Sequence, residues 1–315
     1  MSKSIYFAPH FNDEAAAYAF VEAHLWADGR PCPHCGVVDH SGPLGGKSSR
    51  IGLYKCYACR KPFTVKIGTI FEDSHIQMRD WLTAIQLICS SKKGISSNQL
   101  HRTLGITLKS AWFLGMRIRE AMAPADAGDI GGPDMIVEAD ETELAPSRKT
   151  WRRKHRSLNK KFVSLIERGG RVRSRVLTGA EGPIGAQVQR IIFAELHPSA
   201  TLHTDQAAHY PLSVPKGRHE SVNHSKQFAR TAKDGSRVHC NSAEGYFSIF
   251  KRGLVGTYQH MSEKHLHRYL AEFDFRMSNR EKLGVNDTMR AEKALKGVVG
   301  KRLTYRTTDS QTAQA

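Results

Sequence analysis

Two pairs of cysteines restrict the possible folds of this chain more than any other feature of its sequence. Cys32 and Cys35 form one pair, Cys56 and Cys59 form the other, and twenty residues separate the two pairs. Two residues between ligands let one tight turn present both thiolates to one ion, and Gly36 permits the positive φ that such a turn favours. Two such turns complete a tetrahedral shell of four sulfurs around one structural Zn²⁺. The alternatives, redox pairs or buried free thiols, do not require a second pair at this spacing.

The composition indicates a polyanionic partner. The 315 residues include 47 Lys and Arg against 30 Asp and Glu, and the resulting net charge of +17 favours nucleic acid over an anionic membrane surface. No run of ~18 apolar residues is present, and the acidic residues near the start are unlike a secretory signal. Paired cysteines at metal-ligand spacing are typical of a reducing cytosol. We therefore expect a soluble, cytoplasmic protein of two or three domains that acts on nucleic acid, without a membrane partner.

The hydrophobic pattern divides the chain into segments. Residues 11–25 show helical spacing, and short alternating runs between 31 and 70 indicate small strands around the cysteines. Residues 78–123 indicate three helices with a tight turn at Gly105, a pattern typical of a helix-turn-helix. Strands and helices then alternate in the order β-β-β-α-β-α, which is typical of a mixed α/β sheet. The predicted segments are 1–75 (N-terminal helix and cysteine-bearing strands), 76–123 (helix-turn-helix), 124–133 (linker), 134–300 (α/β domain) and 301–315 (polar tail).

Acidic residues occur in three elements of the α/β segment. Asp140 lies in an unusually acidic strand, Asp205 ends a second strand, and Glu244 lies in the first turn of a helix. Ligands of an open α/β sheet usually lie at the carboxyl ends of its strands. Carboxylates from separate elements allow two Mg²⁺ (or Mn²⁺) ions ~3.5–4 Å apart, an arrangement that catalyses phosphodiester chemistry. Helical spacing places Lys251 on the same face as Glu244, within reach of a phosphate.

Each acid also has a structural interpretation. Asp140 can be a surface residue at a strand end, and Asp205 can cap the turn that follows it. Asn241 with Glu244 three residues later matches a capping box, in which the glutamate would bond the backbone instead of a metal. The residues alone leave these alternatives open.

A strongly basic run follows the acidic strand. Residues 148–175 contain twelve Lys or Arg and one acid, a charge of +11. Such a run is often only a solvated surface, but Trp151 and the neighbouring carboxylates favour a surface that holds DNA phosphates against a metal-dependent site. The predicted DNA-binding residues are Arg148, Lys149, Arg152, Arg153, Lys154, Arg156, Lys160 and Lys161.

Several short segments occur in a distinctive order along the chain. They are CPHCG at 32–36, GTIF at 68–71, VEADET at 137–142, TD at 204–205, EGYFSIFKRG at 244–253, GTY at 256–258 and HLHRYLAEF at 265–273. This combination resembles the bacterial insertion-sequence DDE transposases that carry an N-terminal zinc ribbon, of the ISXO type. The resemblance covers roughly residues 10–305.

The resemblance implies an RNase H-like catalytic fold. The expected class is then a multidomain α/β protein with a zinc ribbon, a helix-turn-helix and an RNase H-like mixed α/β catalytic domain. The resemblance also implies that Asp140, Asp205 and Glu244 are catalytic magnesium ligands, that Asn241 is a supporting or substitute ligand, and that Lys251 is the family's downstream lysine. The implied activity is binding of terminal inverted repeats, cleavage at the element ends and joining of the freed 3′-hydroxyl to target DNA. Such proteins generally act as homo-oligomers on double-stranded DNA.

Two other functions are compatible with these residues. A zinc-ribbon DNA-binding protein with a decayed catalytic domain would bind DNA in a salt-sensitive manner without divalent-dependent cleavage. The presence of all three acids argues against that decay. A nuclease with the same metal site would cleave DNA and never yield strands joined to a target.

Overall fold

The chain forms two compact units. The first comprises Met1–Ser90, Ile95–Met122 and Asp287–Ala315, and the second comprises Ser91–Gly94 and Ala123–Asn286. The structure, a computed structural model, describes residues 4–46, 49–124, 128–144, 160–205, 210, 214, 217–223, 227–232 and 235–304.

The first unit begins with a helix and a small sheet around the cysteines. Helix α1 (Glu14–Leu25) starts after Asp13, whose carboxylate accepts a hydrogen bond from the Ala16 amide at 2.7 Å. Aspartate is one of the residue types preferred at this cap position, because its side chain accepts from a free amide of the first turn. The three short strands pair in sequence order, and both pairs are antiparallel: β1 (Ser41–Pro43), β2 (Tyr54–Cys56) and β3 (Pro62–Phe63).

Three helices follow in the first unit, as the sequence predicts. They are α2 (Met78–Ser90), α3 (Ser97–Leu104) and α4 (Leu108–Met122). Ser96 caps α3 by accepting a hydrogen bond from the Gln99 amide at 3.1 Å. Gly105 ends α3 with a φ of 67°, a left-handed conformation that glycine adopts without strain. The chain therefore turns sharply between α3 and α4.

A five-stranded mixed sheet forms the centre of the second unit. Its strands lie in the order β6-β5-β4-β7-β8, and their bounds are β4 (Ile136–Leu144), β5 (Lys160–Glu167), β6 (Val172–Leu177), β7 (Thr201–Thr204) and β8 (His219–Ser221). The pairs β4–β5 and β5–β6 are antiparallel, whereas β4–β7 and β7–β8 are parallel. Such a mixed sheet agrees with the predicted α/β content.

Helices and short segments complete the second unit. The helices are α5 (Ile184–Glu195), α6 (Asn241–Gly253) and α7 (Glu263–Ser278), and a two-stranded ladder joins β9 (Arg230–Thr231) to β10 (Arg237–Val238). A π-helical segment, Leu254–Tyr258, continues α6, and 3₁₀ segments lie at Gly179–Glu181 and Glu281–Leu283. The first unit has two further 3₁₀ segments, Ile5–Phe7 and Pro9–Phe11. Within the described part of the chain, no helix is both long enough and apolar enough to cross a membrane.

The two faces of the mixed sheet are covered by different helices. On one face, Val137 of β4 lies in an apolar core with Val188 of α5. On the other face, Phe162 of β5 contacts Phe247 and Phe250 of α6, with ring centroids 5.5 and 5.1 Å apart. Because side chains alternate along a strand, every second side chain of β4 faces α6.

The last helix, α8 (Asp287–Lys296), belongs to the first unit and not to the α/β unit. It packs against α2, and Arg290 donates a hydrogen bond to the Cys89 carbonyl at 2.6 Å. The second unit ends at Asn286, so it is shorter at its carboxyl end than the predicted segment 134–300. The predicted boundary between residues 75 and 76 lies inside the first unit. Periodicity predicts a helix here, but it does not indicate which core the helix joins.

Candidate active site

The four paired cysteines lie together in the first unit. Their Sγ atoms are all within 4.8 Å of one another, and the sulfur pairs Cys32–Cys59 and Cys35–Cys56 are each separated by 3.7 Å. Four sulfurs placed tetrahedrally at ~2.3 Å from one Zn²⁺ would be about 3.8 Å apart, so the spacing fits this ion. The cluster supports a structural zinc site, as the sequence predicts.

The surroundings of the cluster also fit a metal site. The amides of Cys59 and Ala58 donate hydrogen bonds to the Cys56 sulfur and lower the pKa of that thiol to about 7. This shift favours the thiolate, which is the form that binds metal. The His34 imidazole instead contacts the Pro62 carbonyl at 3.2 Å and is not a member of the cluster. Four sulfurs are sufficient to fill the tetrahedral shell of one Zn²⁺ without His34.

In the second unit, two of the predicted acids lie side by side, one in strand β4 and one directly after strand β7. Strands β4 and β7 are parallel, with Glu138 of β4 opposite His203 of β7. Asp140 and Asp205 each follow two residues later in their own segments. The register therefore places Asp140 and Asp205 next to each other.

A cleft of about 700 Å³ brings Asp140 together with the helix that carries Glu244. Lys251 lies two turns after Glu244 and faces the same cleft, in agreement with the helical spacing of the sequence. Glu141 also lies at the cleft, although strand alternation predicts the opposite face for it. The lining residues are Asp140, Glu141, Thr142, Glu244, Phe247, Ser248, Lys251, Arg252 and Val255.

The acids of the cleft interact electrostatically. Burial of the Asp140 side chain, together with the negative charges of Asp205, Glu141 and Glu244, raises the pKa of Asp140 to about 7. Carboxylates that disfavour one another's ionisation attract a divalent cation, because the cation compensates their charge. The donor set, which consists of carboxylate oxygens, is also the type that Mg²⁺ prefers.

The acids are more widely spaced than the cysteines. Among the described residues, the cysteines are the only group of three or more candidate ligands whose donor atoms all lie within 4.8 Å of one another. The donor atoms of the three acids are therefore not all within 4.8 Å of one another, and the roles of these acids stay predictions. Two ions ~3.5–4 Å apart require a wider set than one ion, because ligands of different ions need not touch.

A further acid, which the sequence analysis did not single out as a site residue, anchors the first turn of α6. Glu138 is fully buried, and its Oε2 atom accepts hydrogen bonds from the Ser242 and Ala243 amides at 2.7 and 3.3 Å. Its Oε1 atom accepts hydrogen bonds from Ser242 Oγ and from Arg168 Nε, each at 3.0 Å. The sequence did contain a signal for the role of Glu138, because this acid lies on the same strand face as Asp140 at a position that should be buried.

The hydrogen bonds between Glu138 and α6 bear on whether Glu244 belongs to a capping box with Asn241. Helix α6 begins at Asn241 and has Cys240 as its cap residue, so the capping box that the sequence allows does not form. Glu138 instead bonds the amides of the first turn. The side chains of Asn241 and Glu244 are both exposed, and of the two only Glu244 lines the cleft. In the alternative interpretation Asp205 caps the turn at 206–210, of which residues 206–209 lie outside the described residues.

Much of the basic run lies outside the described residues, namely Arg148, Lys149, Arg152, Arg153, Lys154 and Arg156. Of the two predicted DNA-binding residues that are described, Lys161 pairs with Glu143 at 3.2 Å and Lys160 donates to the Met261 carbonyl. The later arginines of the run form ion pairs within the unit: Arg168 with Glu138, Arg171 with Glu167, and Arg173 and Arg175 with Glu195. The described part of the run is therefore partly neutralised inside the protein.

Two family models match the chain, and each covers one of the features described above. Residues 12–62 match the transposase zinc-ribbon domain, and residues 131–278 match the ISXO2-like transposase domain. Both models describe parts of transposases, and together they cover more than half of the chain. The chain belongs to the insertion-sequence transposases that carry an N-terminal zinc ribbon. No curated protein matches the sequence.

Proposed function

We propose that the protein binds the terminal inverted repeats of its element, cleaves DNA at the element ends and joins the freed 3′-hydroxyl to target DNA. The transposase family models support the general class of this activity. The antiparallel β6-β5-β4 arrangement followed by parallel β7 and β8 is compatible with the RNase H-like catalytic fold that the resemblance implies.

The observation that carries the proposal is that acids of strand β4 and helix α6 line one cleft, with the acid that follows β7 close enough to interact with the first of them. Asp140 and Glu244 line the cleft, and Asp205 interacts electrostatically with Asp140. In the proposed site, Asp140 and Asp205 hold the metal ions, Glu244 completes the ligand set, and Asn241 supports or replaces it. When bound, two Mg²⁺ (or Mn²⁺) ions would activate the attacking oxygen and stabilise the leaving oxygen of the phosphodiester.

Lys251 and the open shape of the cleft are suited to a DNA strand. Lys251 lies on the same side of α6 as Glu244, where its ammonium group can hold a phosphate oxygen beside the acids. Arg252 lines the same cleft and adds a second positive charge. Lys251 and Arg252 would keep the scissile phosphate against the carboxylates. Their positive charges would lower the electrostatic repulsion between the phosphate and the carboxylates.

The first unit and the basic run are proposed to bind DNA away from the cleavage site. The zinc ribbon and the helices α3 and α4, which form the predicted helix-turn-helix, would hold the terminal repeats. The residues between Arg148 and Lys161 would hold target or flanking DNA. Because a transposable DNA element has two ends, we propose that the protein acts as a homo-oligomer. A protein with this activity acts on the nucleoid, so its proposed location is the bacterial cytoplasm.

A cleavage and strand-transfer assay tests this function. The substrate is labelled DNA that carries the flanking repeats of the element, with an unlabelled plasmid as target. Wild type is compared with Asp205→Asn and with the control Glu181→Gln, which removes an exposed acid outside the cleft. Reactions without Mg²⁺ replace the usual EDTA control, since a chelator would also remove zinc from the cysteines.

Each alternative function gives a different result in this assay. Mg²⁺-dependent joined products from wild type and Glu181→Gln, but not from Asp205→Asn, would support the transposase. Nicked but never joined DNA would support a nuclease. Binding without nicking in either Mg²⁺ or Mn²⁺ would support a DNA-binding protein with an inactive catalytic unit.

A further inference from the structure

We propose that Glu138 is a positioning residue that fixes the Glu244 carboxylate relative to Asp140 by holding the first turn of α6 against strand β4. The inference rests on the proposed function, since it assumes that these acids share metal ions. Glu138 itself is fully buried and does not line the cleft. It would therefore act through its neighbours and not on the substrate.

Glu138 and Ser242, which bond each other, lie close in the chain to the two acids that they would position. Glu138 lies two residues before Asp140 on the same strand face, a separation of ~6.6 Å along the strand. Ser242 lies two residues before Glu244, a rise of ~3 Å along the helix. The bonds between Glu138 and Ser242 therefore tie the two elements together directly beside the two acids. A shift of the α6 terminus relative to β4 would change the separation of those acids.

The hydrogen bonds to Glu138 require an acceptor at both of its carboxyl oxygens. Its two oxygens accept from the amides of Ser242 and Ala243, from Ser242 Oγ and from Arg168, and His239 Nδ1 lies 3.2 Å from Oε1. Glutamine keeps the shape of glutamate but replaces one acceptor oxygen by an NH₂ donor. In either orientation this donor would face other donors, so Glu138→Gln would loosen the anchor with little change in volume.

A second buried glutamate provides a matched control. Glu167 of β5 is 3 % exposed, pairs with Arg171 at 2.7 Å and accepts a hydrogen bond from the Gly131 amide at 2.8 Å. Its hydrogen-bond partners belong to the turn after β5 and to the segment before β4, and none belongs to α6. Glu167→Gln therefore perturbs a buried ion pair of the same unit without disturbing the anchor of Glu244.

The test measures metal binding and backbone opening in the full-length, zinc-loaded protein. Mn²⁺ binding is followed from the loss of the free-ion signal in electron paramagnetic resonance, since Mn²⁺ does not compete with Zn²⁺ for four thiolates. We expect Glu138→Gln to raise the Mn²⁺ dissociation constant by about tenfold or more, as supporting residues of metal sites do. Glu167→Gln should leave it within about twofold. Hydrogen exchange of the peptide around 240–247 should accelerate in Glu138→Gln alone.

A milder variant keeps the test decisive if Glu138→Gln folds poorly. Ser242→Ala removes only the bond from Ser242 Oγ to Glu138 and should weaken Mn²⁺ binding about two- to threefold with the melting temperature nearly unchanged. Equal Mn²⁺ affinity in wild type, Glu138→Gln and Ser242→Ala would overturn the inference even if wild type cleaves DNA. If wild type neither binds Mn²⁺ nor cleaves DNA, the proposed function fails. Faster exchange in Glu138→Gln alone would then still show that Glu138 holds the α6 terminus.

Discussion

At the scale of single residues, Asn241 and Glu244 are the two candidates for the proposed third metal ligand. Both lie in the first turn of α6 and both are exposed, but Glu244 faces the cleft and contributes to the raised pKa of Asp140. Asn241 is the first residue of the helix and does not line the cleft. These positions support Glu244, and not Asn241, as the proposed third ligand.

Substitution of each residue tests this preference. We expect Glu244→Gln to lower the rate of Mg²⁺-dependent cleavage by more than about 100-fold, since direct ligands exceed the ~10–100-fold effect of supporting residues. Asn241→Ala should lower the rate by less than about tenfold. The measurement is single-turnover cleavage at saturating DNA, with DNA binding measured separately. The opposite ranking of the two variants would identify Asn241 as the ligand.

A second residue, Asp274 of α7, should make stability depend on pH. Burial raises the pKa of Asp274 to about 6, although the Tyr246 hydroxyl and both the amide and hydroxyl of Ser174 donate hydrogen bonds to it. The folded state thus binds this proton more tightly than the unfolded state, whose pKa is ~3.9. The stabilising contribution is complete below about pH 4 and is lost as the pH rises through about 6.

Asp274→Asn should remove this dependence. Between pH 4 and pH 7, the unfolding free energy of wild type should fall by up to ~3 kcal/mol more than that of the variant, because one pKa unit corresponds to ~1.4 kcal/mol. Urea unfolding of both proteins at several pH values measures the difference. Parallel pH profiles for the two proteins would contradict the buried, proton-binding state of Asp274.

At the scale of elements, the three strands around the cysteines have a small buried core. Its fully buried members are Cys32, Cys56 and Phe63, two of which are candidate zinc ligands, and the residues packed against it, Trp26, Tyr54, Cys59 and Ile67, are only partly buried. Such a small core is unlike the cores that stabilise a sheet without help. The fold of this sheet should therefore depend on zinc.

Loss of one thiolate should unfold the ribbon without unfolding the second unit. Cys56→Ser is expected to release zinc and to expose residues between 30 and 65 to protease, because metal binding and folding are coupled in small metal sites. His34→Ala is the control, since His34 lies outside the cysteine cluster. Zinc content by colorimetric titration and limited proteolysis provide the readout. A zinc-free Cys56→Ser protein that resists protease would show that the sheet is stable without metal.

Elements that depend on local sequence could be predicted, and long-range pairings could not. The cysteine spacing, the Ser96 cap and the turn at Gly105 each involve residues close together in the chain. The anchor of α6 joins Glu138 to Ser242, which are more than a hundred residues apart. Alternation placed Glu138 on the correct face, but no local pattern shows which partner it meets there. The same limit explains why the ion pairs of Glu195 with the basic run were not foreseen.

At the scale of the whole molecule, the net charge of +17 should govern DNA affinity. Not every positive charge is equally available, since Arg173 and Arg175 already pair with Glu195 at 3.4 and 2.5 Å. The predicted contacts at Arg152, Arg153 and Lys154 lie outside the described residues. Their contribution to DNA binding can be separated from that of the paired arginines by salt dependence.

The triple variant Arg152→Gln, Arg153→Gln, Lys154→Gln should weaken the salt dependence of binding to double-stranded DNA. If each side chain contacts one phosphate, the slope of log K against log salt should decrease in magnitude by about 3, since each contact contributes ~0.9. Arg175→Gln, in the ion pair with Glu195, should leave the slope unchanged. Fluorescence anisotropy at several salt concentrations measures both. An unchanged slope in the triple variant would remove these residues from the DNA-binding surface.

The place of α8 in the first unit sets the order in which the protein can mature on the ribosome. Ala294 and Leu295 are buried in the same unit as α2, and the Ile70 amide bonds the Val298 carbonyl at 3.2 Å. These residues are synthesised after the entire α/β unit, so the first unit can complete its core only after the α/β unit has been translated. A nascent chain can thus form its catalytic unit earlier than its complete first unit. A copy of the gene interrupted by a stop codon just after Asn286 would encode an intact α/β unit beside an incomplete first unit.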